Sequence, residues 1–314
     1  EGLAKKGGAV ALVDRTSARR EFGGATLLAL SWAFAGELKK RTSAKRVAIV
    51  LPPGVAAAVA NLGCLLADKV PVNLNFSLGR EQALSCLQRA EVELVVTAGA
   101  FRNKLAEKFP DFPWGDRVLD VADFLTAYPR AGLAWRIALI RALPASWTSA
   151  CLGLPQHGGE AEAALLFTSG SSGQPKGVRL SHRNILANLR QIEDADILPD
   201  SAVLLSSLPV FHSFGFTIGL WYCLSRAPRL ITLPSPLDAA AAVELGGDLA
   251  RKIVAGRAEA TGHDDRVAAS DRFLDRFADR RAIGYSRLSR DAQTELKKLA
   301  AKPCAVSVDG VSKQ

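Results

Sequence analysis

Ala163-Ala-Leu-Leu-Phe-Thr-Ser-Gly-Ser-Ser-Gly-Gln-Pro-Lys-Gly-Val178 changes character twice. An apolar run with strand character, Ala163–Phe167, gives way to small and polar residues, Thr168–Gly177. A second strand-like run follows at Val178–Leu180. Gly170, Gly173 and Gly177 permit positive φ and close backbone approach, so successive N–H groups can converge on an anion. Thr168, Ser169, Ser171 and Ser172 add hydroxyl donors, and Lys176 adds a mobile positive charge. Many donors, little bulk and one neutralising cation are what a polyphosphate requires. The stretch is not a Walker A loop, because Lys176 precedes Gly177 and no Ser/Thr follows it. A flexible Ser/Gly linker is the bland alternative, but linkers seldom sit between two buried strands.

Outward from this loop the pattern alternates. Upstream, Arg46–Leu51, Val70–Val72 and Glu93–Thr97 read as strands, with helical spacing over Gly54–Asp68 and from about Ser77 to Ala90. Downstream, a helix is expected from about His182 to Glu193 with Ser181 as its N-cap. Strands at Ala202–Leu208 and Arg229–Leu233 then flank a helix from about Phe214 to Leu224. Strand–helix–strand alternation of this kind implies an α/β fold with mainly parallel sheets covered by helices. Residues of roughly 125–155 break the rhythm. There Leu133–Leu143 reads as an apolar helix with arginines and tryptophans, suited either to packing on the domain or to lying on a membrane surface.

Composition sets limits. The 314 residues carry a net charge of +9 and are 48% hydrophobic, enough for one large domain or two ordinary ones. No apolar run approaches a membrane span. The basic residues are scattered, without a dense aromatic-interleaved block, so nucleic acid is not an expected partner. Cys64, Cys86, Cys151, Cys223 and Cys304 form no CxxC pair. They read as buried free thiols in a reducing cytoplasm, and no metal-ligand set is expected. Glu1 is not a start methionine and the chain has no Met, so it is expected to begin inside a longer polypeptide.

The string Leu166-Phe-Thr-Ser-Gly-Ser-Ser-Gly-Gln-Pro-Lys-Gly-Val178, running on to Ser181-His-Arg-Asn184, resembles the phosphate-loop signature of the AMP-binding, adenylate-forming superfamily. Its members activate a carboxylate with ATP and pass the acyl group to a thiol or another acceptor. The resemblance implies that Thr168, Ser169, Gly170, Ser171, Ser172, Gly173 and Lys176 hold the β,γ-phosphates of ATP, with Mg2+ accompanying the nucleotide. Ser207-Leu-Pro-Val-Phe-His-Ser-Phe-Gly-Phe216 is similar to the superfamily's carboxylate-pocket stretch. By that resemblance His212 orients the acyl carboxylate, while Phe211, Phe214 and Gly215 shape the acyl channel. Taken alone, His212 reads as a core histidine.

Pro71–Phe76, Leu208–Thr217 and Leu233–Leu237 resemble the acyl-[acyl-carrier-protein] synthetase branch, found alone or fused to 2-acylglycerophosphoethanolamine acyltransferase. This implies activation of a long-chain fatty acid for acyl carrier protein or CoA. It also implies a cytoplasmic location, with peripheral contact at the inner membrane face. A non-catalytic nucleotide-phosphate binding module and an activator of another carboxylic acid remain as alternatives. Near Gly246-Gly247 the character shifts: 24 of residues 247–314 are charged, against 47 of the preceding 246. The superfamily's later motifs find no match there. The expected division is therefore a partial adenylation domain over 1–246 and an atypical tail over 247–314. That tail reads as frame-slipped, or as part of an unrelated domain.

Overall fold

Two helices too apolar to face water form the centre of the fold. The chain enters through a short helix, α1 (Gly2–Lys6), the antiparallel strands β1 (Val10–Asp14) and β2 (Arg20–Gly23), and then α2 (Gly24–Arg41). β3 (Arg46–Ile49) and α3 (Val55–Leu66) follow. α2 buries Leu27, Leu28, Leu30, Phe34 and Leu38, and α3 buries Val55, Val59 and Cys64. Helices apolar on most sides are stable only inside a core. The two pack against each other so closely that a Cβ on Gly63 would stand 2.8 Å from the Phe34 ring. Asp14, at the end of β1, accepts from Val55 N at 3.0 Å and Thr16 N at 2.8 Å. Its carboxylate thereby satisfies an otherwise orphaned donor in the first turn of α3.

The chain continues as β4 (Val70–Asn73), α4 (Arg80–Arg89), β5 (Val95–Thr97), α5 (Gly99–Lys108), β6 (Val118–Asp120) and α6 (Val121–Ala127). Two surface helices follow, α7 (Arg130–Ala142) and α8 (Ala145–Cys151). Then come the β-hairpin strands β7 (Glu162–Thr168) and β8 (Lys176–Ser181), α9 (His182–Asp194) and β9 (Val203–Ser206). Last is a helical stretch made of α10 (Ser213–Phe216), a π-helical turn (Thr217–Tyr222) and α11 (Cys223–Ser225), before β10 (Arg229–Thr232).

The first sheet has the order β2-β1-β10-β9, and the second β6-β5-β3-β4-β7-β8. In the second sheet all neighbours are parallel except the β7–β8 hairpin. Side chains alternate along its strands. Val47 and Ile49 of β3, with Ala164 and Leu166 of β7, join the core that holds α2 and α3. Ala48, Val50 and Leu165 join a separate core with Cys86 and Leu87 of α4. Both faces are covered, as a parallel sheet requires. Arg46 pairs with Glu162 through two hydrogen bonds, at 3.1 and 2.9 Å, tying the start of β3 to the start of β7 across β4.

The structure describes residues 1–16, 19–153, 159–168, 175–195, 202–226 and 228–233, all within the unit Glu1–Pro236. The tail at 247–314 lies outside them. Within them the expected α/β alternation is present. The strand expected at Val178–Leu180 extends to Lys176–Ser181 because it pairs with the whole of β7. The helix expected over Phe214–Leu224 spans 213–225 and widens into the π turn, where Gly219 packs against the Ser206 side chain. Cys304 lies outside the described residues, and among the four thiols within them one departs from expectation. Cys64, Cys86 and Cys223 are buried, but Cys151 is exposed because α8 ends on the surface. Burial pushes the thiols of Cys64 and Cys223 up to about 12, and that of Cys86 to about 11.

Candidate functional site

The polar loop closes the β7–β8 hairpin. Thr168 and Lys176 are register partners at its mouth, and the Thr168 hydroxyl lies 3.5 Å from the Lys176 carbonyl. Both side chains are exposed. Ser169, Gly170, Ser171, Ser172 and Gly173 lie outside the described residues. The hairpin is held at both of its ends. Arg89, in the last turn of α4, donates to the Pro175 carbonyl at 3.1 Å. At the far end Ser181 caps α9: its hydroxyl accepts from Asn184 N, and the Asn184 side chain accepts from Ser181 N, a reciprocal capping box. Flanking the hairpin is a surface pocket of about 220 Å³ bordered by Arg46, Arg89 and Arg179. Glu162 compensates Arg46 and Arg179, while Arg89 has no carboxylate partner among the described residues. The hairpin therefore stands in a cationic setting, which favours an anionic ligand.

The second segment turns sharply after β9. His212 N donates to the Pro209 carbonyl at 3.1 Å, and Phe216 N donates to the His212 carbonyl at 2.8 Å. Gly215 is buried against this turn, and a Cβ there would collide with the carbonyl oxygens of Pro209 and Leu208. Only glycine fits that approach. His212 is exposed rather than buried, so its place is not that of a core histidine. Its ring lies 4.5 Å from that of Phe211. Phe211 in turn meets Phe76 edge to face at 5.0 Å, and Phe76 meets Phe101 at 5.1 Å. Phe214 is 58% exposed.

That chain of rings places the segment. Phe76 follows β4, and the loop follows β7. β4 and β7 run parallel, with Asn73 opposite Leu166. Phe76 and the hairpin mouth therefore leave the sheet from the same, carboxyl end, where open α/β sheets bind ligands. Phe76 and Arg89 are the residues beside the two segments that motif reading did not single out. Phe76 was legible only as part of Pro71–Phe76, and Arg89 carried no local signal at all.

A mainly parallel α/β sheet with a Ser/Gly-rich connection leaving its carboxyl end is the setting in which open α/β sheets bind ligands. The AMP-binding enzyme family matches residues 1–247, and this chain belongs to it. Among curated relatives, sulfoacetate–CoA ligase of Cupriavidus necator is 30% identical over 180 residues, covering 56% of this chain and 32% of that protein. The medium-chain-fatty-acid–[acyl-carrier-protein] ligase JamA of Moorena producens is 26% identical over 199 residues, covering 60% and 30%. Among solved structures, ATP-bound MatB from Rhodopseudomonas palustris superposes with a TM-score of 0.56 at 25% identity, covering 77% of this chain and 46% of that one. The fold is that of the family's N-terminal adenylation domain. This chain spans about a third of the length of those two curated relatives.

Proposed function

We infer that this chain is the part of an ATP-dependent acyl-activating ligase that grips the triphosphate and positions the carboxylate. The observation that carries this reading is the Phe76–Phe211 contact, which tethers His212 at the same end of the sheet as the Thr168–Lys176 hairpin mouth. Thr168, Ser169, Gly170, Ser171, Ser172, Gly173 and Lys176 hold the β,γ-phosphates. The exposed Lys176 ammonium and Thr168 hydroxyl suit a polyphosphate. Mg2+ arrives with the nucleotide and neutralises phosphate charge. His212 holds the acyl carboxylate beside the α-phosphate, and Phe211, Phe214 and Gly215 shape the acyl channel. A carboxylate oxygen attacks the α-phosphorus, the bond to the β-phosphate breaks and pyrophosphate leaves. A thiol then takes the acyl group and AMP departs. Holding two anions in line is where positioning contributes most.

The aromatic lining of Phe76, Phe211 and Phe214 supports a fatty acid, long-chain by the branch resemblance, with acyl carrier protein or CoA as acceptor. JamA, a ligase of medium-chain fatty acids and acyl carrier protein, supports the fatty-acid class, whereas the sulfoacetate ligase supports the alternative of another carboxylic acid. A second reading rests on the share of the relatives that is covered: alone, this chain acts as a nucleotide-phosphate binding module without ligation. The setting is cytoplasmic, with peripheral contact at the inner membrane face. ATP–pyrophosphate exchange tests the reading, measured on the chain alone and on a chimera completed with the C-terminal half of a relative. Expected are negligible exchange by the chain alone and stimulation of the chimera by fatty acids. Stimulation by sulfoacetate and not by fatty acids would overturn the substrate class. No exchange with any acid, alongside retained pyrophosphate binding, would favour the binding module.

A further inference from the structure

Resting on the peripheral membrane contact inferred above, we propose that the outer surface of α7 and α8 docks the protein onto an anionic lipid bilayer, lying in the headgroup layer without crossing it. No helix among the described residues is long and apolar enough to span a membrane.

α7 is fixed to the body of the protein by its inner side. Ile140 is buried, and Leu133 and Ile137 pack on the central core. Arg136 lies between the rings of Trp32, Trp135 and Tyr128, at 4.9, 4.8 and 5.6 Å, and donates to the Gly132 carbonyl at 2.9 Å. Trp32 belongs to α2, so this ring set locks the roll of α7 and decides which side faces out. The outward residues are Ala131, Ala134, Trp135, Ala138, Arg141 and Ala142, recurring every three or four positions. Trp135 is 49% exposed, and Trp147, on α8 just beyond Leu143-Pro144, is 66% exposed.

Charge separates this surface from an ordinary solvated one. α9 exposes Arg183, Arg190, Glu193 and Asp194, the mixture expected of a water-facing helix. Between Asp123 and Glu160, by contrast, the sequence has no acidic residue, while Arg130 and Arg141 are exposed. The neighbouring element, α1, adds no net negative charge, because Glu1 is paired with Lys5 at 2.9 Å. Exposed tryptophans beside arginines match the bilayer interface, where indole rings sit at headgroup level and cations meet anionic lipid. The alanines let the helix axis approach that layer closely. An acidic carrier protein would be drawn by the same charges, but two large exposed indoles favour the lipid.

Vesicle flotation of the intact 314-residue chain tests this, with phosphatidylglycerol/phosphatidylcholine vesicles against phosphatidylcholine alone and no nucleotide present. Expected is at least tenfold stronger partitioning onto the anionic vesicles, falling with added salt. Trp147→Ser and Arg141→Glu should each lower it about fivefold or more, with thermal melting confirming that the variants fold. Lys176→Ala should leave it unchanged, so failure here is distinguishable from failure of the phosphate-loop reading. Equal partitioning onto both vesicles, or none onto either, would overturn the proposal. So would anionic binding that ignores both surface variants, or binding of an acidic carrier protein, abolished by those variants, without vesicle binding.

Discussion

The β7–β8 hairpin and the Pro209–Gly215 turn reach the same end of the second sheet by different means. The hairpin is built locally: its strands pair with each other, and its functional groups belong to one contiguous string. Exposed Thr168 and Lys176 carry little of the fold. The turn is built at long range. Its position depends on Phe211 meeting Phe76, and on Gly215 admitting two carbonyl oxygens. Substitutions in the hairpin should therefore change binding without changing stability, whereas those supporting the turn should change both.

The largest effect is expected at Gly215. Gly215→Val forces a side chain into the Pro209 carbonyl, and denaturant unfolding should register a loss of about 3 kcal/mol. A near-wild-type midpoint would mean that the turn is looser than described. Next comes Phe76→Ala, which removes a half-buried ring touching two others, at a cost of about 2 kcal/mol. A double-mutant cycle with Phe211→Ala should show coupling of about 1 kcal/mol. Additive losses would deny that Phe76 positions the His212 segment.

His212→Ala should alter the melting temperature little, because the ring is exposed. In a completed chimera it should slow single-turnover adenylation about 10²-fold. Lower stability with an unchanged rate would remove His212 from the site.

The smallest effect is electrostatic and lies at the foot of the hairpin, at the opposite end from its mouth. At the start of α9, burial holds the His182 imidazole below the usual histidine range, outweighing the attraction of Asp68. A depressed folded value means that the unfolded chain binds the proton more tightly. The neutral ring's contribution to stability is therefore full above about pH 6.5 and lost as pH falls towards the folded value. His182→Gln should flatten the slope of stability below pH 6.5. An unchanged slope would assign the acid sensitivity to other groups.

What the sequence disclosed follows the same division. In the second sheet β3, β4, β5 and β7 were legible because they are buried and read as short apolar runs, such as Arg46–Leu51, whereas the exposed β8 was read only at Val178–Leu180 and the short β6 was not read at all. The Ser181 cap was legible because capping is local. The first sheet was read only at β9 and β10. Its β1–β2 pair is short, and Arg20–Gly23 carries little apolar signal, so its place depends on β10 arriving from more than 200 residues away. Sequence separation also hid Phe76, whose partner Phe211 comes from a different sheet's loop. The exposure of Cys151 was hidden too, since it depends on where α8 happens to end.

Lys176, and not His212, is expected to hold phosphate. Calorimetric titration of the intact chain with pyrophosphate, for wild type, Lys176→Ala and His212→Ala, tests it most directly. Wild type should bind weakly, His212→Ala equally, and Lys176→Ala about ten- to a hundredfold less tightly, as the loss of one charged contact worth about 1–3 kcal/mol requires. Equal affinity in all three proteins would contradict it and leave the hairpin a structural turn.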